Sequence, residues 1–297
     1  MNRTHFRLAL AFVALLALPC LAQSEGYARV EIDRLEPATM TARQALAGVS
    51  PAARTPLNIS SERPSAAAVV LGAANTAGLY GSFFTTDLYL LNPMYSETAR
   101  INIFAMAPGV DNMAVAPPSG SITLGSRSFT VLKNVMAQVG ATGGAALLIG
   151  IDSAKSTSLA RFTAWAYTST PGPNGGRYGV NIQAIGTSYQ DSLFDGWCVG
   201  ANVGSGTRTN IGVFNYSTTG SLSVTAYVYN SGGGSPVASI PITVPRASFV
   251  QLPLGNYVSS LTDGVVWFRY ATGSYSSYMV VNDNITNDAN FQLSTGW

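Results

Sequence analysis

Thr86-Asp87-Leu88-Tyr89-Leu90-Leu91-Asn92 is an apolar run closed by an asparagine, and its pattern returns as Thr209-Asn210-Ile211-Gly212-Val213-Phe214-Asn215. Each copy leads through a turn into an alternating run, residues 99–105 after the first and 223–228 after the second. Farther along, Ile122 and Thr123 fall on Ile242 and Thr243. Ser128, Phe129 and Leu132 fall on Ser248, Phe249 and Leu252, and Gly144 falls on Gly264. The register between the copies shortens only at the Gly-rich loop Asn230-Ser231-Gly232-Gly233-Gly234-Ser235. Surface loops absorb such changes and strands do not. The chain is therefore read as an internal duplication.

The repeated segments alternate with period two, as half-buried strands do. Several, such as residues 144–149, are apolar on both faces. Turn signals recur every 8–12 residues or so, the spacing of sandwich strands. Apolar residues make up 47% of the chain and charged ones only 10%, against about 25% charged in an average protein. With 30 glycines, this composition suits strands and tight turns. The expected fold class is all-β: two tandem antiparallel β-sandwich domains of immunoglobulin-like plan after a signal peptide and linker. The expected boundaries are signal peptide 1–22, linker or arm 23–65, domain 1 at 66–190, inter-domain linker 191–205 and domain 2 at 206–297. Within the arm, residues 37–48 read as a short helix with Met40 and Leu46 on one face.

Arg3 and Arg7 precede an apolar run over residues 8–18, and Leu21-Ala22 precedes Gln23. A basic start, a short apolar run and small residues at the cut describe an export signal. The run is short for a membrane anchor, and Pro19 before Cys20 does not suit lipoprotein processing. Cleavage after Ala22 removes two of the 16 basic residues and none of the 14 acidic ones, which leaves a net charge of zero. Such a chain carries no electrostatic footprint for nucleic acid, and no transmembrane helix is expected after the signal. The single histidine, His5, leaves with the signal, and with it go Ser-His-Asp and Cys-His chemistry. Cys198 then stands alone and reads as a buried thiol or a bridge between chains.

Thr86-Asp87-Leu88-Tyr89-Leu90-Leu91-Asn92-Pro93, Ser128-Phe129 to Leu132 and Ala164-Trp165-Ala166-Tyr167 with Gly176-Arg177-Tyr178-Gly179 carry a resemblance. Arg208 to Asn215 and Val280 to Asp288 carry it in the second half. These stretches resemble the tandem immunoglobulin-like β-domain pair found in secreted proteins of environmental bacteria, over roughly residues 66–292. That family has no assigned activity and is often an accessory region. The resemblance implies the paired fold and export, and no chemistry. The departure lies at Gly273 to Ser277, where the family's Pro-containing turn is missing.

Three constellations compete with ordinary structural roles. The aromatics Tyr227, Tyr229, Tyr257, Trp267 and Tyr275 concentrate in the second unit. They are the expected ligand-binding residues if sugars stack on them, and sheet packing uses the same residue types. Asp283, Asn284, Asn287 and Asp288 form the densest oxygen cluster, a weak calcium candidate; Asx turns are the competing reading. Asn92 and Asn215 sit at equivalent strand ends and read as caps. No catalytic residues are assigned and no cofactor is expected, calcium apart. The sequence contains no nucleophile elbow, P-loop or dinucleotide fingerprint.

The functional expectation is a non-catalytic secreted, periplasmic or cell-surface module for adhesion, recognition or spacing. Its partner would be an extracellular protein or glycan. A carbohydrate-binding module built on the second unit's aromatics is the second reading. An outer-membrane β-barrel, suggested by the aromatic end Phe291 to Trp297, is the weakest. Mass spectrometry of the exported protein should find a chain beginning at Gln23. An intact Met1 in that fraction would contradict the signal.

Overall fold

A strand with apolar residues on both faces needs partners above and below it, and the architecture follows from that requirement. The computed structural model describes residues 27–32, 34–47, 66–156, 160–186, 195–269 and 273–296. The fold is all-β, with antiparallel pairing throughout except for one short N-terminal strand. In chain order the strands are β1 (Ala28–Arg29), β2 (Ala67–Ala77), β3 (Phe83–Asn92), β4 (Ala99–Met106), β5 (Ser119–Leu124), β6 (Ser128–Leu132), β7 (Gly143–Ile151), β8 (Thr163–Pro171), β9 (Arg177–Gln183) and β10 (Ile185–Gly186). There follow β11 (Gly196–Val203), β12 (Thr207–Asn215), β13 (Leu222–Tyr229), β14 (Ala238–Val244), β15 (Ser248–Pro253), β16 (Leu261–Arg269), β17 (Tyr275–Asp283), β18 (Ala289–Leu293) and β19 (Thr295–Gly296). Among the described residues helices are limited to α1 (Ala42–Ala47), α2 (Val135–Gln138) and single turns. Among the described residues no helix is long and apolar enough to cross a membrane.

The two halves repeat one pairing scheme. In the first, β5-β4-β7-β2 and β6-β3-β8-β9 are the neighbour orders; in the second, β14-β13-β16-β11 and β15-β12-β17-β18. In the first half β2 pairs with β7 and then, at residues 75–77, with β3, which joins the layers into one 10-stranded sheet. A bulge between Leu71 and Ala73, with Gly72 at φ 100°, redirects the strand; bulges are the usual device for switching sheets. The second half keeps separate sheets of five and four strands.

Asn92 and Asn215 explain part of this repetition. The Asn92 amide donates to the carbonyls of Glu97, Leu124 and Gly125 at 2.8, 3.2 and 2.8 Å, while its Oδ1 accepts from Met94 N. Asn215 donates to Gly220, Val244 and Pro245 at 3.0, 3.2 and 3.0 Å and accepts from Ser217 N. Each buried side chain clasps its own turn to a later loop of its half, β5–β6 in the first and β14–β15 in the second. Backbone carbonyls that would otherwise be buried without a donor are thereby satisfied.

Three apolar layers separate the strands. One lies inside the first half and contains Val70, Leu88, Leu90, Ile101, Ile103, Leu147, Ile149 and Ile182. A second lies inside the second half, around Ile211, Val213, Val224, Val228, Val266, Phe268 and Met279. The third joins the halves: Val69, Leu71, Phe104, Met106, Ala146 and Leu148 meet Phe214, Phe249 and Tyr278. Alternation assigns the faces: Ile101 and Ile103 go to the first layer, Phe104 and Met106 to the third. All eight residues of β4 are buried as a result.

Polar contacts lock the same junction. Arg246 donates to Asp111 Oδ2 from Nε and Nη2 at 2.9 and 2.6 Å. Asn112 donates to Ala247 O, Ser248 Oγ to Ala107 O and Gly109 N to Phe249 O. Gly179 N donates to Asp288 Oδ1 at the far side.

Two sequence expectations change. Residues 196–203, expected within the inter-domain linker, form β11, which pairs with β16 and occupies the place that β2 holds in the first half. The arm is docked. β1 runs parallel to β6, Leu35 packs over Gly120, and Glu36 bridges Ser121 and accepts from Arg100 at 2.6 Å. Thr41 and Gln44 form a reciprocal cap at the start of α1. Ala42, Ala45 and Leu46 of α1 then enter the third apolar layer. The helix begins at Ala42 and not at Pro37 because Pro37 and Thr39 are bonded to β5 and to Asn102 instead.

Tyr278 is the largest side chain wholly inside the junction. Its ring lies across Gly212, where a Cβ would meet ring carbons at 2.2 Å, and stacks on Phe291 at 5.2 Å. Gly212→Ala should therefore displace the ring and cost about 1–3 kcal/mol, the range for overpacking. A urea midpoint at or above the wild-type value would refute that account of the junction.

Candidate recognition surfaces

The outermost strands of the stack have one face left over, and alternation decides which side chains stand there. On the second half's outer sheet, Trp197 of β11, Trp267 of β16 and Tyr227 of β13 occupy one cross-strand row. Trp197 and Trp267 stack at 5.2 Å and 6°, and Tyr227 meets Trp267 at 5.2 Å and 31°. Arg269 lies 5.9 Å from the Trp267 ring. Cross-strand aromatic pairs of this kind stabilise a sheet by about 0.2–1 kcal/mol each.

Of the five aromatics expected at a ligand site, Tyr227 and Trp267 share this row and Tyr229 stands nearby, opposite Val265. Tyr257 is exposed but follows the turn after β15. Tyr275 is removed from any surface: it is fully buried in the second half's core beside Met279. The reason is register. On β17 the odd positions face that core, while Tyr278 faces the junction. Trp197 was missed because its stretch read as linker, although Trp197 and Val199 already alternate with Cys198.

The oxygen cluster at the end of β17 is occupied by protein groups. Asp283 Oδ1 accepts from the backbone N–H of Ile285 and Thr286, both at 2.7 Å, and from Thr286 Oγ1. These bonds hold its carboxyl below the ordinary aspartate value despite the opposing effect of desolvation. The Arg208 guanidinium donates to Asn284 Oδ1 at 2.8 Å and Asn287 Oδ1 at 2.9 Å. Asp288 accepts from Gly179 N. These four residues thus form an Asx turn clamped by an arginine, with their side-chain oxygens accepting from protein donors. Among the described residues no group of His, Cys, Asp or Glu has a metal-binding arrangement.

The first half's outer face carries a second aromatic pair. Tyr89 of β3 and Trp165 of β8 are register partners and stack at 5.1 Å and 7°. Trp165 is 38% exposed and stands between two shallow grooves. The larger, about 750 Å³, is lined by Leu91, Pro93, Thr163, Asn181, Gln183 and Trp165 among others. The smaller, about 360 Å³, is apolar and includes Tyr27 of the arm with Phe129 and Val131.

One row along, Asp87 sits nearly buried. It accepts from Lys133 Nζ and Arg177 Nη1, both at 2.8 Å, and from Asn134 N at 3.0 Å. Burial pushes its carboxyl up, but the Arg177, Lys133 and Asn134 bonds outweigh that and hold it below the ordinary value. The Arg177 guanidinium lies 5.2 Å from the Tyr167 ring. This cluster ties β3 to the segment after β6 and to β9. It has the geometry of a structural ion pair network, with the carboxylate saturated by donors.

No protein-family model matches the chain, and no curated protein matches it.

A lowered folded pKa stabilises the fold above the unfolded value of about 3.9, and that contribution disappears as pH falls through the folded value. Asp87→Asn should cost about 1.5–3 kcal/mol at pH 7, the range for bonds to a charged group. It should also flatten the loss of stability between pH 5 and pH 2 or so. Urea midpoints of both proteins across that range check this; an unchanged acid profile would remove Asp87 from the account.

Proposed function

We propose that the chain is an exported, non-catalytic module of two tandem immunoglobulin-like β-sandwiches that acts by surface recognition, adhering to a protein or a cell surface. The observation that carries this reading is the pair of outward aromatic rows, Tyr89–Trp165 on one outer sheet and Trp197–Trp267–Tyr227 on the other. Aromatic side chains dominate protein recognition because they offer large rigid contact areas with a polar handle. Here they stand on the outer sheets at the two ends of a stack whose inner apolar faces are consumed in the junction. The repeated pairing scheme supports the tandem immunoglobulin-like description and the resemblance to the paired domains of secreted bacterial proteins.

The non-catalytic part of the reading is supported by the state of the acidic groups. Asp87, Asp111 and Asp283 are each engaged by basic or backbone donors that depress their pKa, the opposite of what a general acid needs. A glycan site on the second unit's aromatics loses support, since Tyr275 is in the core and the rings of Trp197, Trp267 and Tyr227 cover one another. An outer-membrane barrel would put Asp87, Lys133, Arg177, Asn181 and Gln183 against lipid, where charges are costly.

Antibody labelling of intact producing cells should find the chain at the surface or in the medium, and the purified protein should adhere saturably to intact cells. Replacing Trp197 and Trp267 together, or Tyr89 and Trp165 together, with Ser should weaken adhesion about tenfold or more. A chain retained in the cytoplasm, or adhesion unchanged in both variants, would sink the proposal.

A further inference from the structure

The two aromatic rows differ in one respect that has chemical consequences. In the second half's row, Trp267 has a ring or cation against it from Trp197, Tyr227 and Arg269. Trp165 is engaged differently. Tyr89 stacks on it from β3, Gln183 of β9 is its register partner on the other side, and the ring stays 38% exposed. The ring borders the groove of about 750 Å³, a volume within the range of small-molecule sites, about 300–1,000 Å³.

The lining is mixed. Leu91 and Pro93 form an apolar floor at one end, and the side chains of Thr163, Asn181 and Gln183 supply hydroxyl and amide groups. On β9 the exposed Asn181 and Gln183 alternate with buried Ile182. The strand's own core contacts therefore fix both amides on the groove side. None of the lining side chains is ionisable. Tyr89 is itself held in register by β6 and β8, so the indole plane has a rigid backing.

We propose that this groove is a saccharide subsite for neutral oligosaccharides. The C–H face of a pyranose is apolar and faintly positive, and it complements the negative face of an indole. Laid on the exposed part of the Trp165 ring that borders the groove, such a ring directs its equatorial hydroxyls sideways toward Thr163 and Asn181. An amide and a hydroxyl offer both donors and acceptors to them. The absence of charge in the lining selects neutral sugars over uronates or sialylated chains. An indole backed by Tyr89 is already ordered, so little conformational entropy is lost on binding. The subsite rests on the recognition reading above and supplies it with a ligand class at one of its two surfaces.

Affinity electrophoresis tests this with the purified exported chain in gels cast with hydroxyethyl cellulose, galactomannan, arabinoxylan or dextran, and with alginate as the charged control. At least one neutral polymer should retard the protein. Trp165→Ala should weaken that binding about tenfold or more and Asn181→Ala more modestly, while Ile285→Ala, at an exposed turn position, leaves it unchanged; circular dichroism checks that each variant is folded. Should Trp165→Ala fail to fold, Trp165→Phe keeps a ring of smaller face and should give an intermediate affinity. Titration with the hexasaccharide of the retarding polymer should quench tryptophan emission in the wild type and not in Trp165→Phe. Retardation by alginate alone, by no polymer, or retardation kept in Trp165→Ala would each overturn the subsite. Cell adhesion that persists without polysaccharide binding would overturn the subsite alone. Polysaccharide binding without adhesion would leave the subsite and remove the recognition reading.

Discussion

Everything in this molecule depends on one layer that is apolar on both sides. β2, β4 and β7 carry Val70, Ile101, Ile103, Leu147 and Ile149 on one face and Val69, Leu71, Phe104, Met106 and Leu148 on the other. A sheet with a single covered face would leave the second set in water, at roughly 1.5–3 kcal/mol for each large side chain. The partner layer has the matching problem, since Phe214, Phe249 and Tyr278 point away from their own core. Stacking the halves face to face solves both. The junction therefore behaves as a third core, and the Arg246–Asp111 pair and the Asn112 bonds at its rim fix its register more than they add stability.

The arm belongs to the same economy of surfaces. β5 and β6 are edges of the first half, and an exposed edge is a template for wrong pairing. β1 covers β6, the Glu36–Ser121 bridge covers β5, and α1 puts three side chains into the junction. Gly120 and Gly150 make room for this, since a Cβ at either would sit 2.9 Å from Leu35 or Ala45. A segment that looks like a linker by composition thus becomes part of the core through shape, because glycines on the strands leave room for Leu35 and Ala45 of the arm.

Strands and their duplication were legible because period-two alternation and the repeated asparagine are local signals. The paired Asn92 and Asn215 show why duplication can be read so directly: the same side chain makes the same clasp twice. What was not legible required knowing which face of a strand meets which layer. Tyr275 and Tyr278 are both aromatic positions on one strand, yet the first lies in a core and the second in the junction. Neither is a surface residue, and nothing within β17 alone announces that both of its faces are buried. β11 was hidden for a related reason: its equivalence to β2 rests on pairing with β16, not on sequence likeness.

The same reasoning separates aromatic residues that hold a sheet together from those with a face to offer. Stacking across strands is favourable in itself, so a row of rings on an outer sheet is first a packing device. In a row of three, the central ring has both sides engaged, as Trp267 has from Trp197 and Tyr227. In a row of two, each ring keeps one face, and what that face meets depends on the next strand. β9 places short amide side chains there and leaves a groove. The chemical difference between the ends of the stack thus comes from the strand next to the rings. Both halves follow one pairing scheme, but β9 lies beside β8 on the first half's outer face, whereas β18, its equivalent, faces the junction. Stacking the halves through equivalent layers of opposite kind turns a duplicated fold into a molecule with two unlike ends.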